Sequence, residues 1–204
     1  MIRYLADPAN AVTTAGLLFS ALGLDLALAN RPELAVAAVL WAMLADQLDG
    51  VVAKRTPSRS AEVAAFGKAL DGFADLIYGA AFPAIVIMKV SGPSSLSFVT
   101  STALLLAGAI RLSYFDAFGL SADGRFMGLP LSYDVPLLAL AFVLRPWIPS
   151  AAFPLSLEIA FLLIAALHVA SIRVPATSGR MYVAISAYST LASTILIYMS
   201  LSPV

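Results

Sequence analysis

Residues 33–55 read ELAVAAVLWAMLADQLDGVVAKR. The first thirteen hold one charge, at their start, and are apolar enough to lie in a bilayer. The last ten carry Asp46 and Asp49, then Gly50, Ala53 and the bases Lys54 and Arg55. A separation of three places the two carboxylates about 60° apart on one helical face. A hydrophobic helix ending this way belongs at the edge of a membrane, with its acids turned toward something other than lipid.

The rest of the chain agrees. Of 204 residues, 61% are hydrophobic and 12% charged, and mean hydropathy is +0.92. Soluble domains carry about 25% charged residues, so the bilayer is the expected solvent. Formal net charge is zero, which offers nucleic acid no attraction. With no cysteine there are no disulfides, thiolate metal sites or thiol nucleophiles. The opening MIRYLADPAN is too polar for a signal-peptide core, and no cleavage is expected.

Seven apolar stretches, near 11–29, 33–53, 64–90, 95–119, 131–148, 153–172 and 181–202, each approach the ~20 residues of a membrane-crossing helix. Turn-forming segments such as NRPE, KRTPSRSAE and SGPSS separate them. The predicted fold is an all-α polytopic membrane protein in a single domain over residues 1–204. It has a bundle of six core transmembrane helices plus a seventh, with MIRYLADP as a short N-terminal interfacial helix. Orientation follows from the bases. With the N-terminus cytoplasmic, Arg3, Lys54, Arg55, Arg59, Lys68, Arg111, Arg125, Arg173 and Arg180 lie inside, against Arg31, Lys89 and Arg145 outside. The polar segments then converge on the cytoplasmic face.

Across the loop from Asp49, the stretch GKALDGFADLIYG spaces Gly67, Asp71, Asp75 and Gly79 four apart, as one stripe of the third helix. Two consecutive helices thus offer two carboxylates each. Four such groups repel one another unless protons or cations intervene. All-oxygen ligation suits a hard divalent ion, Mg²⁺, Mn²⁺ or Ca²⁺. Gly50, Ala53 and Gly67 leave space for a phosphorylated or flat group beside the helix backbones. Single acids such as Asp7, Asp25 and Glu158 read as solvated or capping residues, and the lone His168 as a packed helix histidine.

The pattern DQLDGVVAK (46–54) followed by GKALDGFAD (67–75) resembles the signature of the CDP-alcohol phosphatidyltransferase family, D-x-x-D-G-x-x-A-R then G-x-x-x-D-x-x-x-D. Lys54 stands at the motif arginine, and the spacer before Gly67 is longer than the family's usual one. PANAVT (8–13) is similar to the family's opening P-N-x-x-T. FGKALDGFADLIYGAAFPA, RLSYFD, RFMGLPL and VASIRVPATSGR look most like the phosphatidylserine synthase branch, although Asp116, Tyr133 and Asp134 depart from it.

The resemblance implies transfer of a phosphatidyl group from CDP-diacylglycerol to a small alcohol, with release of CMP. L-serine is the expected acceptor. Ethanolamine, choline, glycerol phosphate and inositol phosphate stay open, as does, from another class, a small cation or proton transporter. One or two Mg²⁺ or Mn²⁺ ions would be held by Asp46, Asp49, Asp71 and Asp75, with Asp75 also the general base. Thr13, Asp46, Gly50, Ala53, Lys54 and Gly67 would bind the nucleotide and CDP-lipid. Arg111 and Arg125 are candidates for an acceptor carboxylate, Asp116 and Asp134 for an ammonium. The expected partners are these substrates, membrane lipids and a second copy in a homodimer, with no nucleic acid.

Overall fold

Asp7 starts the first membrane helix. Its carboxylate accepts from the backbone N–H groups of Ala9 and Asn10, both at 3.1 Å, and Pro8 fills the first helical position, where no N–H is needed. The computed structural model describes residues 1–57 and 59–202. A 3₁₀ turn over Ile2–Ala6 precedes α1 (Pro8–Leu28), α2 (Pro32–Arg55) and α3 (Ala61–Leu76). A π-helical turn, Ile77–Ala81, leads directly into α4 (Phe82–Ser91), and α5 (Ser95–Phe118) follows. The second half contains β1 (Arg125–Met127), α6 (Asp134–Leu144), α7 (Phe153–His168), β2 (Arg173–Pro175) and α8 (Gly179–Leu201).

Among the described residues, five helical spans are long and apolar enough to cross a membrane: α1, α2, the continuous Ala61–Ser91 span, α5 and α8. Two expected spans are shorter. The stretch 131–148 becomes a 3₁₀ turn, the eleven-residue α6 and a second 3₁₀ turn at Arg145–Trp147. Pro146 ends α6 because it brings no N–H for the carbonyl four residues back, and the chain tightens into the 3₁₀ turn with Arg145 still at helical angles. The stretch 153–172 yields the sixteen-residue α7.

The chain is mostly helical, as expected, with one short strand pair added. Strands β1 and β2 pair antiparallel, with Phe126 opposite Val174, and join the α5–α6 and α7–α8 connections over one end of the bundle. Neither three-residue segment shows a period on its own; each is a strand because the other supplies its hydrogen bonds.

Helix α2 is the central element. Ala35–Leu40 and Ala42–Leu44 are all buried, as befits a helix surrounded by others, and it packs against α1, α6 and α8. Close approach to α1 depends on small residues. A Cβ at Gly23 would stand 2.1 Å from a Val39 methyl carbon and 3.1 Å from the Ala35 carbonyl, the small-residue contact by which membrane helices gain packing. Outward faces stay apolar: Leu18, Phe98, Leu106, Val183 and Leu191 are exposed and meet acyl chains rather than water.

The π-turn lies where Pro83 interrupts the third span. Proline has no N–H for the carbonyl four residues back, and its ring crowds that carbonyl. The chain widens one turn instead, the Phe82 N–H bonding to the Ile77 carbonyl.

The loop after α2 is tied to the start of α1. Arg59 donates from Nε to Asp7 Oδ2 at 3.0 Å and from Nη2 to Asn10 Oδ1 at 2.9 Å; Asn10 Nδ2 donates to the Tyr4 carbonyl at 2.9 Å. Desolvation pushes the Asp7 carboxyl up, but the Asn10 N–H, Arg59 and the Ala9 N–H together hold it below its ordinary 3.8. A depressed carboxylate contributes stability above its unfolded pKa and loses it as pH falls through the folded value. Asp7→Ala is expected to cost about 0.5–2 kcal/mol at neutral pH, the worth of an N-cap. The gap from the wild type narrows as pH drops below 3.8, measured by thermal unfolding across that range.

Candidate active site

Helices α2 and α3 bring their acids together at one end of the bundle. Asp46, Asp49 and Asp71 each offer a carboxylate oxygen within 4.8 Å of the others. Ligand oxygens about 2.1 Å from a Mg²⁺ ion stand roughly 3–4 Å apart, so small side-chain turns close this set around a cation. Asp46 Oδ1 is buried and has no hydrogen-bond partner among the described residues. Three carboxylates with one orphaned oxygen fit a hard divalent ion.

The neighbours fix these acids in place. Thr13, buried on α1, donates to Asp49 Oδ2. The hydroxyl of Tyr78, 1% exposed in the π-turn, stands 2.7 Å from Asp75 Oδ1 and 2.8 Å from Asp46 Oδ2 and donates its one proton to either of them. Asp75 therefore stands beside the three-acid cluster rather than in it. A cavity of about 310 Å³ opens over the four acids, lined also by Gln47, Gly50, Lys54, Arg111, Phe115 and Phe126, and by Ser132, Tyr133, Thr177 and Tyr182. It adjoins an apolar cavity of about 380 Å³ between α2, α6 and α8, with which it shares Gln47, Ser132, Tyr133 and Thr177.

Arg111 is the cation that the fold buries here. It is 6% exposed, its guanidinium lies 5.4 Å from the Phe126 ring centroid and 5.9 Å from that of Phe115, and its Nε has no partner among the described residues. Flanking aromatic faces hold it by cation–π attraction, and the charges of Asp75 and Asp134 reach it. Phe126 comes from β1, so the small sheet builds the roof over Arg111.

The other residues expected at an acceptor site do not line this cavity. Arg125 is exposed, its Nε 3.7 Å from Asp123. Asp116 pairs with Lys68 at 2.8 Å in the open. Asp134 is wholly buried, with Oδ2 at 3.0 Å from His168 Nε2, while His168 Nδ1 bonds to the Leu129 carbonyl at 2.8 Å. That pair anchors the segment after β1, and Asp134 is not among the residues that line the cavity.

Gly67 also needs correction as a space kept for ligand. A Cβ there would stand 2.2 Å from Asn10 Oδ1, so its space is filled by α1. Gly50 is the open one, with nothing within 4 Å of a Cβ position. Ala53, half-buried on α2, does not line the cavity.

Tyr78 and the aromatic clamp on Arg111 are functional candidates that the motif omits. Tyr78 follows Asp75 by three residues, a spacing that sets the two side by side on a helix. The clamp has no local signal, since Phe126 arrives through strand pairing.

The fold and site define a helical integral membrane protein with a carboxylate cluster at one end of its bundle. Residues 7–202 match the family described as CDP-alcohol phosphatidyltransferase, and the chain belongs to it. No curated protein matches the chain. Membership makes the chain a transferase of phospholipid biosynthesis that acts on CDP-alcohols, and it sets aside the cation-transport alternative.

Proposed function

We propose that the chain transfers the phosphatidyl group of CDP-diacylglycerol to the hydroxyl of L-serine, at the cytoplasmic face of the membrane. Arg111 carries this choice of acceptor. Serine's carboxylate matches the Arg111 fork, whose buried Nε at the cavity has no hydrogen-bond partner among the described residues. Ethanolamine or choline would leave it unpaired. A phosphorylated acceptor would call for more bases than Lys54 and Arg111, the two that line the cavity, and Lys54 lies on the side of Gly50, where the diphosphate is expected.

The acids divide the remaining work. Asp46, Asp49 and Asp71 would hold one or two Mg²⁺ or Mn²⁺ ions, which when bound neutralise the diphosphate charge. Asp75 stands free of that cluster and serves as general base. The serine oxygen forms a bond to the phosphorus that carries diacylglycerol, the bond from that phosphorus to CMP breaks, and CMP leaves with the electron pair. The hydroxyl proton passes to Asp75. Positioning and charge neutralisation supply most of the rate in such reactions. The adjoining cavity between α2, α6 and α8 is apolar and suits an acyl chain of a lipid whose headgroup meets the acids.

Assaying the purified protein with CDP-diacylglycerol against serine, ethanolamine, choline, glycerol phosphate and inositol phosphate tests the acceptor. Serine alone should be turned over at a high rate; turnover of another alcohol in its place overturns the choice. Arg111→Ala is expected to raise the KM for serine about 10- to 100-fold, the loss of one charge-assisted contact of about 1.5–3 kcal/mol. The CDP-diacylglycerol KM should stay near the wild-type value.

A further inference from the structure

Tyr78 belongs to neither half of the signature, yet it touches both. Its hydroxyl stands 2.7 Å from Asp75 Oδ1 and 2.8 Å from Asp46 Oδ2, and its ring is buried in the core. The two contacts sort the carboxylate oxygens. On Asp46 the hydroxyl takes Oδ2 and leaves Oδ1 as a buried oxygen without a partner among the described residues, on a residue that groups with Asp49 and Asp71. On Asp75, which lines the cavity, it takes Oδ1.

Position 78 lies in the π-turn that Pro83 imposes. The widened turn, a feature frequent at functional sites, places the hydroxyl between residues of two helices. No other side chain among the described residues bridges the α2 and α3 acids by a hydrogen bond.

We infer that Tyr78 is a positioning residue that divides the four carboxylates, steering Asp46 into the cation site and holding Asp75 outside it as the base. The assignment rests on the phosphatidyl-transfer reading above. Partners that orient a metal ligand through hydrogen bonds typically matter about 10- to 100-fold in metal affinity or activity, and that is the scale expected here.

The test compares Tyr78→Phe, which keeps the ring and removes the hydroxyl, with Tyr78→Leu, which removes both. All proteins are purified full-length in detergent with Mn²⁺ present, so that the carboxylates stay neutralised. Tyr78→Phe should lower kcat about 10- to 100-fold at saturating Mn²⁺, leave the CDP-diacylglycerol KM near wild type and weaken Mn²⁺ binding. Tyr78→Leu should share the kcat loss and alone lose thermal stability. In an Asp75→Asn background, Tyr78→Phe should cost no further kcat, because it acts through Asp75, while its effect on Mn²⁺ affinity persists through Asp46. Wild-type kcat and Mn²⁺ affinity in Tyr78→Phe overturn the inference, as does an equal kcat loss with and without the Asp75 carboxylate. Mn²⁺ affinity is read by direct titration without substrate. A wild type inactive toward serine therefore counts against the proposed acceptor, and unchanged Mn²⁺ affinity against Tyr78.

Discussion

Asp75→Asn is expected to lower kcat by about 10²–10⁴-fold, the usual contribution of a positioned general base. The amide keeps the shape of the side chain and can still meet the Tyr78 hydroxyl, which in the wild type sits 2.7 Å from Asp75 Oδ1. It cannot take a proton from the acceptor hydroxyl. Because Asp75 lies outside the group formed by Asp46, Asp49 and Asp71, CDP-diacylglycerol binding should change far less than turnover. The contrast is Asp46→Ala or Asp71→Ala, each of which removes a candidate ligand and should weaken Mn²⁺ and CDP-diacylglycerol binding together. Single-turnover rates and binding titrations on the three variants separate the roles. Near-wild-type turnover by Asp75→Asn would remove it as the base.

Metal removal should have an effect as large. Three carboxylates within 4.8 Å of one another would have to meet a substrate diphosphate, and like charges at that range prevent productive binding unless a cation intervenes. A bound divalent ion contributes several kcal/mol to such a reaction, which corresponds to about 10³-fold in rate. EDTA should therefore bring turnover to background, and added Mg²⁺ or Mn²⁺ should restore it. Full activity in metal-free buffer would overturn the metal site and leave the four acids without a shared role.

Asp46, Asp49, Asp71 and Asp75 were legible because helical geometry is local. Intervals of three and four residues place side chains on one face whatever surrounds the helix, and apolar runs of membrane length set where those helices lie. The sequence by itself therefore determined a helical membrane protein with acids on two consecutive helices, and its ordered motif pointed to the family. It also held Tyr78 at helical spacing from Asp75, although nothing local said that the same hydroxyl would meet Asp46.

Tertiary structure decided which other residues join the acids. Arg111, at the end of an apolar run, was the stronger candidate beside the loop residue Arg125; strand pairing carries Phe126 over Arg111 and leaves Arg125 in the open. Asp134 and His168 lie 34 residues apart and form a buried pair because α6 and α7 meet, which withdraws Asp134 from the cavity. Gly67 looked like space for a ligand until Asn10 of α1 filled it. Each of these outcomes depends on where a distant segment lands, and a spacing rule reaches only a turn or two along one helix. Long-range packing and strand pairing, which no local interval encodes, completed the site.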